Sequence, residues 1–195
     1  MILIINTTII LETYLMNIKK TNLENAFLIE PKIFEDKRGF FYESFNQKQF
    51  INFLKKPIKF VQDNHSRSKK NVLRGLHYQI KKSQDKLVRV TYGSVYDVIV
   101  DLRLFSKTFG KWFGVELSAE NKKQLFVPKG FAHSFLVLSE YAEFQYKTSD
   151  YYDPKHERVL LWNCPKINIK WPIKDPELNQ RDSKGLPLEK CEIFK

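Results

Sequence analysis

Cysteine is nearly absent from this 195-residue chain: it has two, Cys164 and Cys191, beside seven glycines, eight prolines and two methionines. Two unpatterned cysteines supply neither a disulfide framework nor a four-ligand zinc site, so a reducing compartment is expected, with the cytoplasm as default. Glycine and proline are too scarce for a collagen-like or disordered chain. No apolar run approaches the roughly 20 residues that span a bilayer, which points to a soluble protein with no membrane partner. The apolar start, residues 1–15, lacks a basic leader and is interrupted by Asn6, Thr7 and Thr8. It makes a poor signal peptide, and Met16 is a second candidate start. Also missing are Gly-x-Gly-x-x-Gly, a P-loop, a Gly-x-Ser-x-Gly elbow and His-Glu-x-x-His, which removes the most familiar enzymatic signatures.

What is present fits one globular domain, with 43% apolar and 28% charged residues. A chain of this length buries roughly 70% of its unfolded surface without covalent staples. Nothing repeats at a fixed period and no low-complexity linker divides it. The net charge of +11 favours anionic partners, whether nucleic acid, membrane surface or phosphorylated metabolite. The basic pairs Lys19-Lys20, Lys55-Lys56, Lys69-Lys70, Lys81-Lys82 and Lys122-Lys123 are dispersed and read mostly as solvated surface, so no nucleic-acid partner is expected.

From Leu87 onward the pattern is β. In Val95 to Arg103, Tyr96, Val98, Val100 and Leu102 alternate with Asp97, Ile99, Asp101 and Arg103, giving one clean and one mixed face. Leu125 to Val127, Ala132 to Leu138 and Glu143 to Lys147 continue the series, separated by Pro128-Lys129-Gly130 and Ser139-Glu140 as turns. Helix is expected only around Asn46 to Leu54 and after Asp175. Short strands at this spacing predict a mainly β fold, a sandwich or jelly-roll barrel with a few short helices.

Polar residues inside these strands need explaining, because a buried group left unpaired costs several kcal/mol. They are Arg74 and His77 in the segment Val72 to Gln79, Lys86 at the start of a strand, His133, and Tyr146 beside Lys147. His77 reads either as a satisfied strand histidine or as a base, Tyr146 as core or as a cavity phenol, and Lys86 as a snorkelling lysine or a buried cation. Arg38-Gly39 reads first as a turn. Simple alternation puts Arg74 and His77 on opposite faces unless Gly75 marks a bulge. A cavity with an anionic guest would accommodate all of these groups together.

Seven ordered motifs carry a resemblance: Phe34-Glu-Asp-Lys-Arg-Gly-Phe40, Gln62-Asp-Asn-His-Ser66, Leu73-Arg-Gly-Leu-His-Tyr-Gln79, Lys86-Leu-Val-Arg-Val90, Pro128-Lys-Gly-Phe-Ala-His133, Tyr146-Lys-Thr148 and Ile169-Lys-Trp-Pro172. In these the chain resembles the dTDP-4-dehydrorhamnose 3,5-epimerases of deoxysugar biosynthesis, from about Met16 to the C-terminal region. The resemblance implies a cupin-type jelly roll over residues 16–195, with residues 1–15 as an extension outside the pattern or an added strand at a dimer edge. It also implies a homodimer with no metal and no organic cofactor.

Family chemistry inverts C3 and C5 of dTDP-4-dehydro-6-deoxy-D-glucose, two carbons whose hydrogens are acidified by the C4 ketone. It needs a base, a proton donor on the other face, and stabilisation of the enolate oxygen. By resemblance His77 is the base, Asp182 its carboxylate partner, Tyr146 the opposing acid and Lys86 the charge at the C4 oxygen. Arg38, Glu43, Gln62, Asp63, Asn64, Arg74, His133 and Glu157 are expected around the nucleotide sugar, with Arg181 reaching the substrate. Three departures stand out: Ser134 in place of glycine, Cys164 where Trp-Asn-Asp is usual, and Arg181 where lysine is the habit. The alternatives are a mono-epimerase acting at C3 or C5 only, a non-catalytic nucleotide-sugar-binding cupin, and a metal-dependent cupin.

Overall fold

In a computed structural model, which describes residues 16–195, the short apolar and aromatic runs are strands. They are β1 (Met16–Lys20), β2 (Phe27–Pro31), β3 (Phe34–Asp36), β4 (Gly39–Phe41), β5 (Gln62–Lys69), β6 (Leu73–Gln79) and β7 (Lys86–Tyr92). They continue with β8 (Ser94–Asp101), β9 (Trp112–Ser118), β10 (Gln124–Val127), β11 (Phe131–Val137), β12 (Tyr141–Thr148) and β13 (Glu157–Val159), and one helix, α1 (Gln47–Leu54), precedes β5. The extension expected over residues 1–15 lies outside the described residues.

Two antiparallel sheets face each other, a six-stranded one ordered β1-β2-β10-β7-β12-β5 and a five-stranded one ordered β13-β6-β11-β8-β9. This is the cupin-type jelly roll expected. Val88, Val90, Val95, Ile99, Phe135 and Phe144 fill the space between the sheets. On the outer face of the six-stranded sheet, α1 inserts Phe50 among Phe45, Phe60 and Phe126, with ring centroids 5.4 to 6.0 Å apart. Asn46 caps that helix by accepting a hydrogen bond from the Gln49 amide at 3.1 Å, where the sequence places its start. The C-terminal segment covers the other sheet with Leu160, Cys164, Ile167, Ile169 and Leu188.

One expectation is corrected. The segment after Asp175 holds no α-helix but two single 3-10 turns, Asp182–Lys184 and Leu188–Lys190. Bridges from Glu177 to Val72 and from Leu186 to Leu160 keep it extended, and Gly185 and Pro187 interrupt it between the turns. Strand β8 has no solvated face, because β11 and β9 flank it and both sides are covered. Its Asp97 and Asp101 are fully buried and paired, with His133 and Arg103 respectively.

Strand β6 carries the irregularity that positions the cavity. The β11–β6 register shifts between His133 and Phe135, opposite Gly75, so Arg74 and His77 reach the same side. Gly75 has φ +115°, and a Cβ there would lie 2.5 Å from the His133 carbonyl oxygen. Only glycine fits both demands. Gly75→Ala is expected to destabilise the protein by at least about 1–3 kcal/mol from the backbone conformation alone, read by chemical denaturation. Unchanged stability would show that the bulge tolerates a side chain.

Candidate active site

Between the sheets opens a cavity of about 390 Å³. The six-stranded sheet contributes Gln62, Asn64, Lys86 and Tyr146, and the five-stranded sheet contributes Arg74, His77, His133 and Glu157. Arg181 and Tyr152 close one side. Strand alternation explains the first set: Lys86 shares parity with Val88 and Val90, and Tyr146 with Phe144, all facing inward.

Asp182 lies behind His77, with no exposed side-chain surface, and its Oδ1 accepts a 2.6 Å hydrogen bond from His77 Nε2. Its Oδ2 accepts from the Gly75 amide at 3.1 Å, and its own amide donates to Asn179 Oδ1 at 2.7 Å. Burial alone would raise the Asp182 pKa, but the hydrogen bond and charge of His77, the Gly75 amide and Arg181 outweigh it and hold the carboxyl below its ordinary range. The carboxylate therefore stays ionised, accepts from Nε2–H and orients the ring. Arg181 Nη2 sits 3.2 Å from His77 Nε2, whose hydrogen already points at Asp182, so the guanidinium acts there as a charge.

Facing this dyad from the opposite sheet are Lys86 and Tyr146, with Lys86 Nζ 6.0 Å from the Tyr146 ring centroid. Burial lowers the Lys86 pKa to about 8, against the opposing pull of Glu157 and Asp97. Burial, helped by Glu157, pushes the Tyr146 phenol up, so it remains a proton donor at neutral pH. His133 forms a second imidazole–carboxylate pair, 2.9 Å from Asp97, and burial lowers its pKa despite that carboxylate. Arg74 donates to Ser68 Oγ at 2.9 Å and presents its guanidinium to the cavity.

Ten of the expected site residues thus gather here, and three do not. Asp63 occupies the outward parity of β5 and pairs with Lys147 at 2.9 Å. Glu43 accepts hydrogen bonds from the side chains of Asn46 and Gln49 at the start of α1. Arg38 stands at the tip of the β3–β4 hairpin, its side chain 90% exposed and paired with Asp36. Sequence reasoning had not assigned Asp97 or Tyr152 to the site. An acid among the alternating apolar residues of β8 is a signal for the first, and nothing local marks the second. Among the described residues no group of three or more His, Cys, Asp or Glu side chains is placed to hold a metal.

A family model described as dTDP-4-dehydrorhamnose 3,5-epimerase matches residues 20–190. The chain belongs to this family. Curated dTDP-4-dehydrorhamnose 3,5-epimerases are similar to it: one from Pseudomonas aeruginosa is 53% identical over 180 residues, covering 92% of this chain and 99% of the relative. One from Escherichia coli K12 is 60% identical over 158 residues, 80% of this chain and 85% of that one. A crystal structure of dTDP-6-deoxy-D-glucose-3,5-epimerase from Legionella pneumophila, in complex with dTDP-4-keto-L-rhamnose, superposes with a TM-score of 0.88 at 50% identity. The superposition covers 91% of this chain and 95% of that one. By reaction class this epimerase is an isomerase.

Burial that depresses the Lys86 pKa also costs stability. The folded state binds the Lys86 proton less tightly than the unfolded chain, so stability is lowest below about pH 8 and rises from there toward the ordinary lysine value of 10.5. Lys86→Met is expected to raise stability at pH 7 by about 1–2 kcal/mol after allowance for solvent screening. The gain should shrink by pH 10, with thermal unfolding at the two pH values as the measurement. A destabilised variant at pH 7 would show that Lys86 is not penalised by its surroundings.

Proposed function

We propose that this epimerase inverts C3 and C5 of dTDP-4-dehydro-6-deoxy-D-glucose to give dTDP-4-dehydro-L-rhamnose, using His77, Asp182, Tyr146 and Lys86. The observation that carries the reading is a carboxylate-held imidazole on one sheet facing a partly buried phenol and a lysine on the other within a single cavity. His77 takes the proton from the carbon beside the ketone, and the electron pair moves onto the C4 oxygen. Lys86 stabilises that enolate oxygen, as a cation placed where negative charge develops. Tyr146 then delivers its hydroxyl proton to the opposite face of the carbon. Asp182 stabilises the imidazolium formed meanwhile, and solvent restores both groups. Repetition at the second carbon completes the double inversion.

The diphosphate suits Arg74, whose planar guanidinium binds phosphate oxygens bidentately. Gln62, Asn64 and His133 line the same cavity and complete the polar contacts to the nucleotide sugar. We further infer a homodimer. The β3–β4 hairpin holds Phe40 and Phe41 at 60% and 69% exposure beside Arg38, an apolar surface that a second copy would cover. Arg38 and Glu43 would then serve the nucleotide of the partner copy, which accounts for their distance from the cavity of their own chain. Free Cys164 and Cys191 suit a reducing compartment, and we place the enzyme in the cytoplasm.

Incubation of enzyme and substrate in heavy water tests the reaction, and deuterium is expected at both C3 and C5. Exchange at one carbon would identify a mono-epimerase, and exchange at neither would remove the enzymatic reading. His77→Asn and Tyr146→Phe are each expected to lower kcat at least about 100-fold while dTDP binding persists, since each removes one positioned acid–base group. Near-normal turnover in either variant would reject its role.

A further inference from the structure

We propose that Cys164 and Cys191, the two cysteines of the chain, form a redox pair that a small disulfide oxidant closes into an intramolecular disulfide. They lie on different turns of the outer layer, Cys164 after β13 and Cys191 just beyond the second 3-10 turn, and they meet at one short stretch of backbone. Cys164 Sγ accepts a hydrogen bond from the Leu188 amide at 3.5 Å, and Cys191 Sγ donates to the Leu186 carbonyl at 3.3 Å. That carbonyl also accepts from the Leu161 amide at 2.8 Å, and the Cys164 amide returns to the Leu161 carbonyl at 3.1 Å. The Cys191 amide donates to the Leu188 carbonyl at 3.2 Å. Both cysteine turns are therefore pinned to the stretch Leu186 to Leu188. The two side chains also share one apolar cluster. Burial raises the Cys191 thiol pKa and a charge on Cys164 adds to it, against a hydrogen bond with Tyr78, as suits neighbouring sulfurs.

Cys164 is also one of the three departures from the family motif, standing where an aspartate is usual. Sulfur is a weak acceptor, so the exchange leaves the Leu188 amide a poorer partner than a carboxylate. What the sulfur offers instead is a covalent bond to the second thiol. Cys191 is partly exposed and Cys164 is 1% exposed, which orders the steps. The Cys191 thiolate attacks one sulfur of a small disulfide such as oxidised glutathione, and one glutathione thiolate leaves. The Cys164 thiolate then attacks the Cys191 sulfur of the mixed disulfide and expels the second. Two protein thiols are oxidised, the oxidant is reduced to two thiols, and these take up the two protons that the cysteines release. The covalent ring so closed contains Asp182, so the bond staples the segment that brings this carboxylate to His77. In a reducing compartment the pair rests as free thiols and closes when the thiol pool becomes oxidised.

Treatment of the full chain with oxidised glutathione, then alkylation and mass spectrometry without reduction, tests the pairing. The expected product is lighter than the parent by two hydrogen atoms, carries no alkylated cysteine, and yields a crosslinked peptide pair containing Cys164 and Cys191. Cys164→Asp, which restores the habitual acid, should stop at glutathione on Cys191. Cys191→Ser, at a partly exposed position, should leave Cys164 as a free thiol. The oxidised parent is expected to unfold at a midpoint roughly 5 °C or more above the reduced parent, a shift missing from both variants. Thiols that stay free, glutathione retained on Cys191 of the parent, a crosslink between two chains, or an oxidised chain whose midpoint is not raised would each overturn the proposal.

Discussion

The Asp182 carboxylate has no solvent-exposed surface, and a charge so placed has to be compensated inside the protein. Its compensation comes from His77, 105 residues away in the chain, and from the amide of Gly75. Three features therefore depend on one another. The bulge at Gly75 must form for its amide and His77 to face the carboxylate, and the C-terminal segment must dock for the carboxylate to arrive. Docking is driven by apolar contacts of Leu160, Cys164, Ile167 and Leu188 with the outer face of the five-stranded sheet. Assembly of the dyad and closure of that outer layer are accordingly one event.

Within the cavity the same burial acts in opposite senses on different groups. It lowers Lys86 and His133, raises Tyr146, and is overcome at Asp182 by hydrogen bonds and charge. The result near neutral pH is an ionised Asp182, a protonated phenol and a lysine close to its own titration. Separated protonation states of this kind let one pocket supply an acid and an oxyanion stabiliser together. The two sheets divide the labour, one bearing the imidazole and the other the phenol and ammonium. Opposite faces of a sugar ring held between them would meet different chemistry.

Legibility in the sequence followed how many neighbours each element needs. Strands β10, β11 and β12 were visible because their apolar runs sit between turn signals, and α1 because Asn46 caps it and Phe50 packs inward. Strand β5 was not. Its Gln62, Asn64 and Ser66 face a polar cavity and its Asp63, His65 and Arg67 face outward, so neither parity is apolar and alternation carries no contrast. Proline and glycine in the C-terminal segment outweighed the weak helical reading there. Asp97 fell on a face read as mixed, and its partner His133 is a neighbour only through the β11–β8 pairing.

Strand periodicity and turn signals were sufficient by themselves for a mainly β sandwich or jelly-roll barrel, because side-chain alternation and turn preference are local properties set over a few residues. The cupin-type roll, the family and the kinds of group its chemistry requires came from the resemblance carried by seven ordered motifs. Which polar residues share a cavity was decided only by the tertiary structure, which gathers His77, Lys86, Tyr146 and Asp182 and leaves Asp63, Glu43 and Arg38 elsewhere. The reason is physical: a one-residue shift at Gly75 and the docking of a segment a hundred residues downstream reverse or complete what alternation alone would place, and neither is encoded in the local pattern.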